Sequence, residues 1–278
     1  MLLIWVGFSL SGRYAALGTG VRLTPWDLGG LRYMVAGVAA ATLWLAGVGR
    51  GLPPRRSFVT GVLAGLCFPL PAYFGFTYAP VAHGAVILSG TLPFLVAIGS
   101  WFVFGERWSR ARLASFALLL AGVVLLGIEA YVQGARPGAW RGDLLFGAAA
   151  AAWAGYTILA RRWGAAPMQA IVSVGLWCSA LYLPMWWLAL PSHLGTAPLP
   201  EALYQALFQG VFATLISLFL FTRAIAIIGT ARLTTITALV PGLAALLAIP
   251  LLGEHMGPLA LTGLALVCGA VALGVRRS

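Results

Sequence analysis

The chain has 278 residues, of which 61% are hydrophobic and only 8% charged, with a formal net charge of +11. That balance excludes an ordinary soluble globular domain. The basic residues are scattered between apolar runs rather than gathered on one face, which argues against a nucleic-acid partner and for a role in setting membrane orientation.

Apolar stretches of roughly 20 residues, the length that crosses about 30 Å of hydrocarbon, follow one another along the whole chain. Ten spans are predicted, at 1–22, 27–48, 58–79, 81–104, 109–129, 142–162, 169–190, 203–227, 230–252 and 257–275. The first lacks the charged leader and small-residue cleavage site of a signal peptide and reads as a true spanning helix, whether or not its start is trimmed. The longest connections are Glu129–Arg141 and the Pro-rich Pro191–Pro200, both surface linkers by composition. Cys67, Cys178 and Cys268 fall inside spans without metal-type spacing and read as small core residues.

All 17 basic residues are arginine, which in a chain rich in Ala, Gly, Leu and Trp points to a bacterium with a GC-rich genome. Twelve of the arginines fall on one side of the predicted spans. Arg13, Arg22, Arg32, Arg136 and Arg141 lie on the other side or inside a span. The richer side should be cytoplasmic, with both termini inside a bacterial inner membrane.

One block of residues recurs after 148 positions. Trp5, Gly7, Phe8 and Arg13 return as Trp153, Gly155, Tyr156 and Arg161, and Pro93 with Gly105-Glu106 returns as Pro241 with Gly253-Glu254. The chain therefore reads as two five-helix repeats, 1–129 and 142–276, joined by an extracytoplasmic linker at 130–141. Five is odd, so the second repeat must cross the bilayer in the opposite sense, an arrangement that transporters use to build one site between two bundles. Pro93 and Pro241, matched near the middle of spans four and nine, suit a kinked wall and a hinge.

Asp27, Glu106, Glu129, Asp143, Glu201 and Glu254 all fall at span ends or in loops. Ion-coupled carriers usually place an acid deep in a span, so its absence favours movement of a neutral or zwitterionic solute down its own gradient. Glu106 and Glu254 read as helix-end structural charges that complement the next helix. Arg13 has two readings: a mid-span cation that binds a substrate carboxylate, or an interfacial residue that snorkels. Aromatic and polar stripes at helical spacing supply a candidate cavity: Trp5 and Phe8, Phe74 and Tyr78, His83 and Trp101, Trp153, Tyr156 and Trp163, with Gln209 and Ser217 as polar anchors. No nucleophile–base pair, metal-ligand cluster or phosphate-cradling loop is present, so neither an enzyme nor a bound metal or cofactor is expected.

These residues resemble the EamA-type members of the drug/metabolite transporter superfamily. The likeness rests on the Trp-x-Gly and basic residue of spans one and six, Pro25 and Leu31-Arg32 opening span two, both Pro…Gly-Glu blocks, and Gly-rich spans five and ten. It implies ten helices, both ends cytoplasmic, and a substrate path lined by helices one, three, four, six, eight and nine. Within the superfamily the tryptophan-rich interior is most similar to aromatic-amino-acid exporters of the YddG type. The expectation is an all-α exporter of amino acids working by alternating access, with a small-molecule substrate and the bilayer as its partners; the sequence leaves the oligomeric state open, a monomer being plausible. Export of drugs or other metabolites, and a non-transport membrane subunit, are the alternatives.

Overall fold

Prolines start many of the helices, because the first turn needs no backbone donor there. In the computed structural model α2 (Pro25–Leu45), α3 (Pro54–Val62), α4 (Pro69–Tyr78) and α9 (Pro167–Ala189) all open on Pro. Around them lie α1 (Leu2–Leu17), α5 (Val81–Ala85), α6 (Leu92–Phe104), α7 (Arg110–Gly134), α8 (Ala139–Trp163), α10 (Leu199–Gln205), α11 (Ser217–Thr237) and α12 (Pro258–Arg276). The structure describes the chain apart from residues 18–22, 107, 135–136, 241, 245, 248–256 and 277–278, and at 12–17, 81–82, 111, 130, 133–134, 260 and 274–276 the backbone alone. No strand occurs among the described residues.

Among the described residues, seven helical runs are long and apolar enough to cross a membrane, and Leu2–Ser11 and Leu261–Leu273 are shorter apolar helices. One of the seven, Leu199–Thr237, is 39 residues long. It breaks at Gly229, whose φ of 80° and ψ of 161° suit a residue without Cβ, and the predicted boundary between 203–227 and 230–252 falls at that break. The central connection is shorter than expected: α7 runs to Gly134 and α8 begins at Ala139. Glu129 and Arg141, which bound the predicted connection, sit within these helices. Of the three cysteines, Cys178 is buried, Cys67 half-buried and Cys268 exposed, so only the first is a core residue in full.

Three wide turns interrupt the α-helical ladder: π-helical segments at Leu63–Cys67, Val86–Gly90 and Ala206–Ile216. Pro69 and Pro93 follow the first two closely. Each ring clashes with the carbonyl one turn back and supplies no N–H, and the widened turn absorbs the mismatch.

Small residues let the helices touch. A Cβ on Gly122 of α7 would stand 2.7 Å from the carbonyl oxygen of Gly263 on α12, and one on Gly263 would stand 2.8 Å from that of Gly122. Lipid gives helices no hydrophobic reason to associate, so backbone approach of this kind holds them. The α2–α9 pair adds polar contacts: Tyr182 OH donates to Trp26 O (2.9 Å) and Ser179 Oγ to Tyr33 O (2.7 Å). At the start of α2, Thr24 and Asp27 form a capping box. Asp27 is fully buried there and also accepts from Trp186 Nε1, Ser192 Oγ and His193 N.

Candidate functional site

The second and third widened turns, and Phe68 just after the first, border one cavity that encloses about 490 Å³ with the open solvent at its mouth included. Trp5, Phe8 and Ser9 of α1 line it, with Arg32 of α2, Phe68 just ahead of α4, and Trp153 of α8. Leu88 and Ser89 come from the second π segment, Ala213 from the third, and Ser217 from the start of α11. Residues from both ends of the sequence meet here. Known small-molecule sites likewise combine apolar walls with few polar groups.

The walls are aromatic. The Trp5 and Trp153 rings meet edge to face, 5.7 Å apart, and Phe68 lies 4.7 Å from Trp153 and 5.7 Å from Phe8. Phe221 packs behind both tryptophans, at 5.5 and 5.0 Å. Tyr156 backs Trp153 at 5.2 Å and does not reach the cavity; its hydroxyl shares a 2.7 Å hydrogen bond with Thr222. Trp5 Nε1 donates to Ser217 Oγ at 2.8 Å, whereas Trp153 Nε1 is buried and has no partner among the described residues.

The polar side is built around a residue that sequence reasoning did not place in the site. Arg32 lies 3% exposed on α2, roughly 10 Å along the helix from Pro25. Its Nη1 donates to Tyr73 OH (3.1 Å) and its Nη2 to the Ala213 carbonyl (3.3 Å). The chain of donors continues from Tyr73 OH to Gln209 Oε1 (2.9 Å), from Gln209 Nε2 to Ser11 Oγ (3.3 Å) and from Ser11 Oγ to Gln205 Oε1 (2.9 Å). Gln209 is thus a buried strut beneath the site. Arg32 Nε has no partner, and no carboxylate pairs with Arg32, among the described residues. The available signal was a lone charge one-third of the way into a span; what the pattern could not show was which way it faced.

The other expected residues lie elsewhere. Phe74 packs on Trp26, with ring centroids 4.4 Å apart. Tyr78 and Trp101 are 43% and 51% exposed. Trp163 ends α8 beneath the Arg56 guanidinium. His83 is buried and bound through Nδ1 to Asp143 Oδ1 at 2.8 Å, a contact across 60 residues of sequence. Pro93 is buried at the start of α6. The Arg13 side chain, Pro241 and Glu254 lie outside the described residues. Glu106 makes a tertiary contact rather than a purely local one: Arg161 Nη1 donates to its Oε1, and Arg112 Nη1 lies 3.6 Å from its Oε2. Arg161 also donates to Thr230 Oγ1 (3.3 Å) and covers the Phe104 ring, so this cluster ties α6, α7, α8 and α11 together at one end.

Comparison with known proteins places the chain among transporters. The sequence pattern of the EamA-like transporter family matches residues 140–276. The chain is 31% identical over 211 residues to a probable amino-acid metabolite efflux pump of Salmonella typhimurium, covering 70% of this chain and 68% of that protein. It is 28% identical over 220 residues to the aromatic amino acid exporter YddG of Ancylobacter novellus, 73% and 74% of the two chains. An uncharacterized transporter of Bacillus subtilis, YwfM, is 27% identical over 88% of this chain and 82% of its own length. A crystal structure at 22% identity superposes over 98% of this chain and 92% of that one with a TM-score of 0.73, which speaks for the fold.

Proposed function

The chain belongs to the EamA-like transporter family, and we propose that it exports amino acids, aromatic or other hydrophobic ones foremost, by alternating access without proton coupling. As a family member it is a multi-pass membrane transporter and not an enzyme. The observation that carries the substrate reading is the cavity itself: flat aromatic walls from Trp5, Phe8, Phe68 and Trp153, one buried guanidinium from Arg32, and no carboxylate in its lining. A side-chain ring fits the walls and a substrate carboxylate fits the guanidinium. Without an acid to take up and release a proton, the lining offers no evident coupling site. The names of the Salmonella and Ancylobacter relatives support the same substrate class.

The architecture we infer is ten helices in two inverted five-helix repeats, 1–129 and 142–276, with 130–141 outside and both termini in the cytoplasm of a bacterium. Supporting it are the 148-residue recurrence, the break at Gly229, and a family pattern that spans one half alone. In this reading Trp5, Phe8, Trp153 and Ser217 contact substrate and Gln209 braces Arg32. Pro93 and Pro241 flex, and the match of Arg13 to Arg161, which pairs with Glu106, weakens a substrate role for Arg13. Phe74, Tyr78, His83, Tyr156, Trp101 and Trp163 support or flank the path. A single chain and its bilayer suffice, with no nucleic-acid partner.

The test is a substrate panel. Purified protein in liposomes should exchange labelled phenylalanine, tryptophan and leucine against the same unlabelled solutes. Competition by aromatic cations with no amino-acid exchange would instead make it a drug exporter on the same fold.

A further inference from the structure

A guanidinium carries five N–H donors and no acceptor, and it stays charged in a protein. A buried cation is costly unless paired. Arg32 commits two of its donors, to Tyr73 and to the Ala213 carbonyl, and its Nε is left buried without a partner among the described residues. Trp153 Nε1, 5% exposed on the same cavity, is the second unpartnered donor.

The sequence shows why the two halves differ here. The 148-residue shift that carries Trp5 onto Trp153 carries Ser217, the acceptor for Trp5, onto Pro69, which has no side-chain acceptor. The same shift carries Arg32 onto Ala180, Tyr73 onto Phe221 and Gln209 onto Gly61. The polar half of the cavity therefore has no counterpart in the other repeat. What remains is a lopsided site with a guanidinium that no carboxylate pairs among the described residues, two unpartnered donor nitrogens and no anionic group in the lining that could hold an ammonium.

We infer that the substrate's carboxylate is the recognised group and its ammonium is dispensable, so that the cavity takes aromatic monocarboxylates lacking an amino group at least as well as the corresponding amino acids. The carboxylate is held where Arg32 and Trp153 line the cavity, with a side-chain shift that exposes their buried Nε and Nε1, and the ring lies against Trp5, Phe8 and Phe68. This rests on the transport reading above but goes further, because it places the free acid inside the substrate class and excludes the free amine.

Three probes that share one ring and spacer separate the possibilities: 3-phenylpropionate, phenylalanine and phenethylamine. With the full-length protein in detergent, the first two should raise the unfolding temperature and phenethylamine should not. In liposomes, 3-phenylpropionate should compete with phenylalanine exchange. Arg32→Gln should weaken both carboxylates by about tenfold or more, as expected for loss of a charged hydrogen bond. Trp153→Phe, which keeps the ring and removes one donor, should weaken them by about threefold to tenfold. Binding of phenethylamine as tight as that of 3-phenylpropionate would overturn the inference, and so would wild-type carboxylate affinity in Arg32→Gln. If Arg32→Gln does not fold, the three-probe series on the wild type and Trp153→Phe decides. Phenylalanine exchange that persists in Arg32→Gln would sink this inference and leave export standing. Tight 3-phenylpropionate binding with no phenylalanine flux would sink amino-acid export and leave the site standing.

Discussion

Trp5 and Trp153, which hold the same place in the two copies of the recurring block, meet edge to face with ring centroids 5.7 Å apart and planes at 83°. Each is a wall of the same cavity, so the two halves of the chain converge on one site. Truncating Trp153 leaves a hole between Phe68 and Phe221. Trp153→Ala should cost about 3–5 kcal/mol of stability and abolish exchange. Trp5→Phe keeps the ring but frees Ser217 Oγ, and should retain most of the stability. Thermal unfolding in detergent and liposome exchange measure the two effects separately.

Asp27 is a structural carboxylate despite its burial. It accepts from Thr24, Trp186, Ser192 and His193, which locks the start of α2 to the Pro191–Pro200 connection. Asp27→Ala removes the acceptor from several buried donors and should destabilise by about 3 kcal/mol or more. The surviving folded fraction should bind substrate with unchanged affinity. A selective loss of affinity at unchanged unfolding temperature would make Asp27 part of the substrate path instead.

Gly122 and Gly263 let the backbones of α7 and α12 approach each other closely. Gly122→Ala forces its new methyl group against the Gly263 carbonyl, and the helices must separate. A loss of about 1–3 kcal/mol is expected, with the exchange rate per folded molecule little changed, since neither helix reaches the cavity.

The Glu106–Arg161 pair is expected to act as a latch at the end where α6 and α8 meet. Both partners are partly exposed, so breaking the pair with Glu106→Gln should change stability by less than about 1 kcal/mol. Labelling of a cysteine at Thr234, buried one turn beyond Thr230, should nonetheless rise in a background free of the native cysteines. The charge reversal Glu106→Arg with Arg161→Glu should restore protection. By the sequence repeat, Glu106 and Arg161 correspond to Glu254 and Arg13.

Much of this organisation was legible in the chain. Spans announce themselves because lipid demands long apolar helices, and the place of Gly229 between two of them followed from the pattern. Trp5, Phe8 and Trp153 were recognisable because the repeat marked them twice. Arg32 was not, since a periodic stripe of apolar residues carries no information about which face turns inward when every face is apolar. His83 was read as a candidate ligand because its partner Asp143 lies 60 positions away. Likewise the burial of Asp27 depends on Trp186 and the 191–193 segment, contacts that only tertiary packing brings together.

The most direct check is phenylalanine counterflow in proteoliposomes, measured with and without a proton ionophore and with the membrane potential clamped. The account predicts the same initial rate in both conditions. A rate that collapses when the proton gradient is dissipated would contradict it.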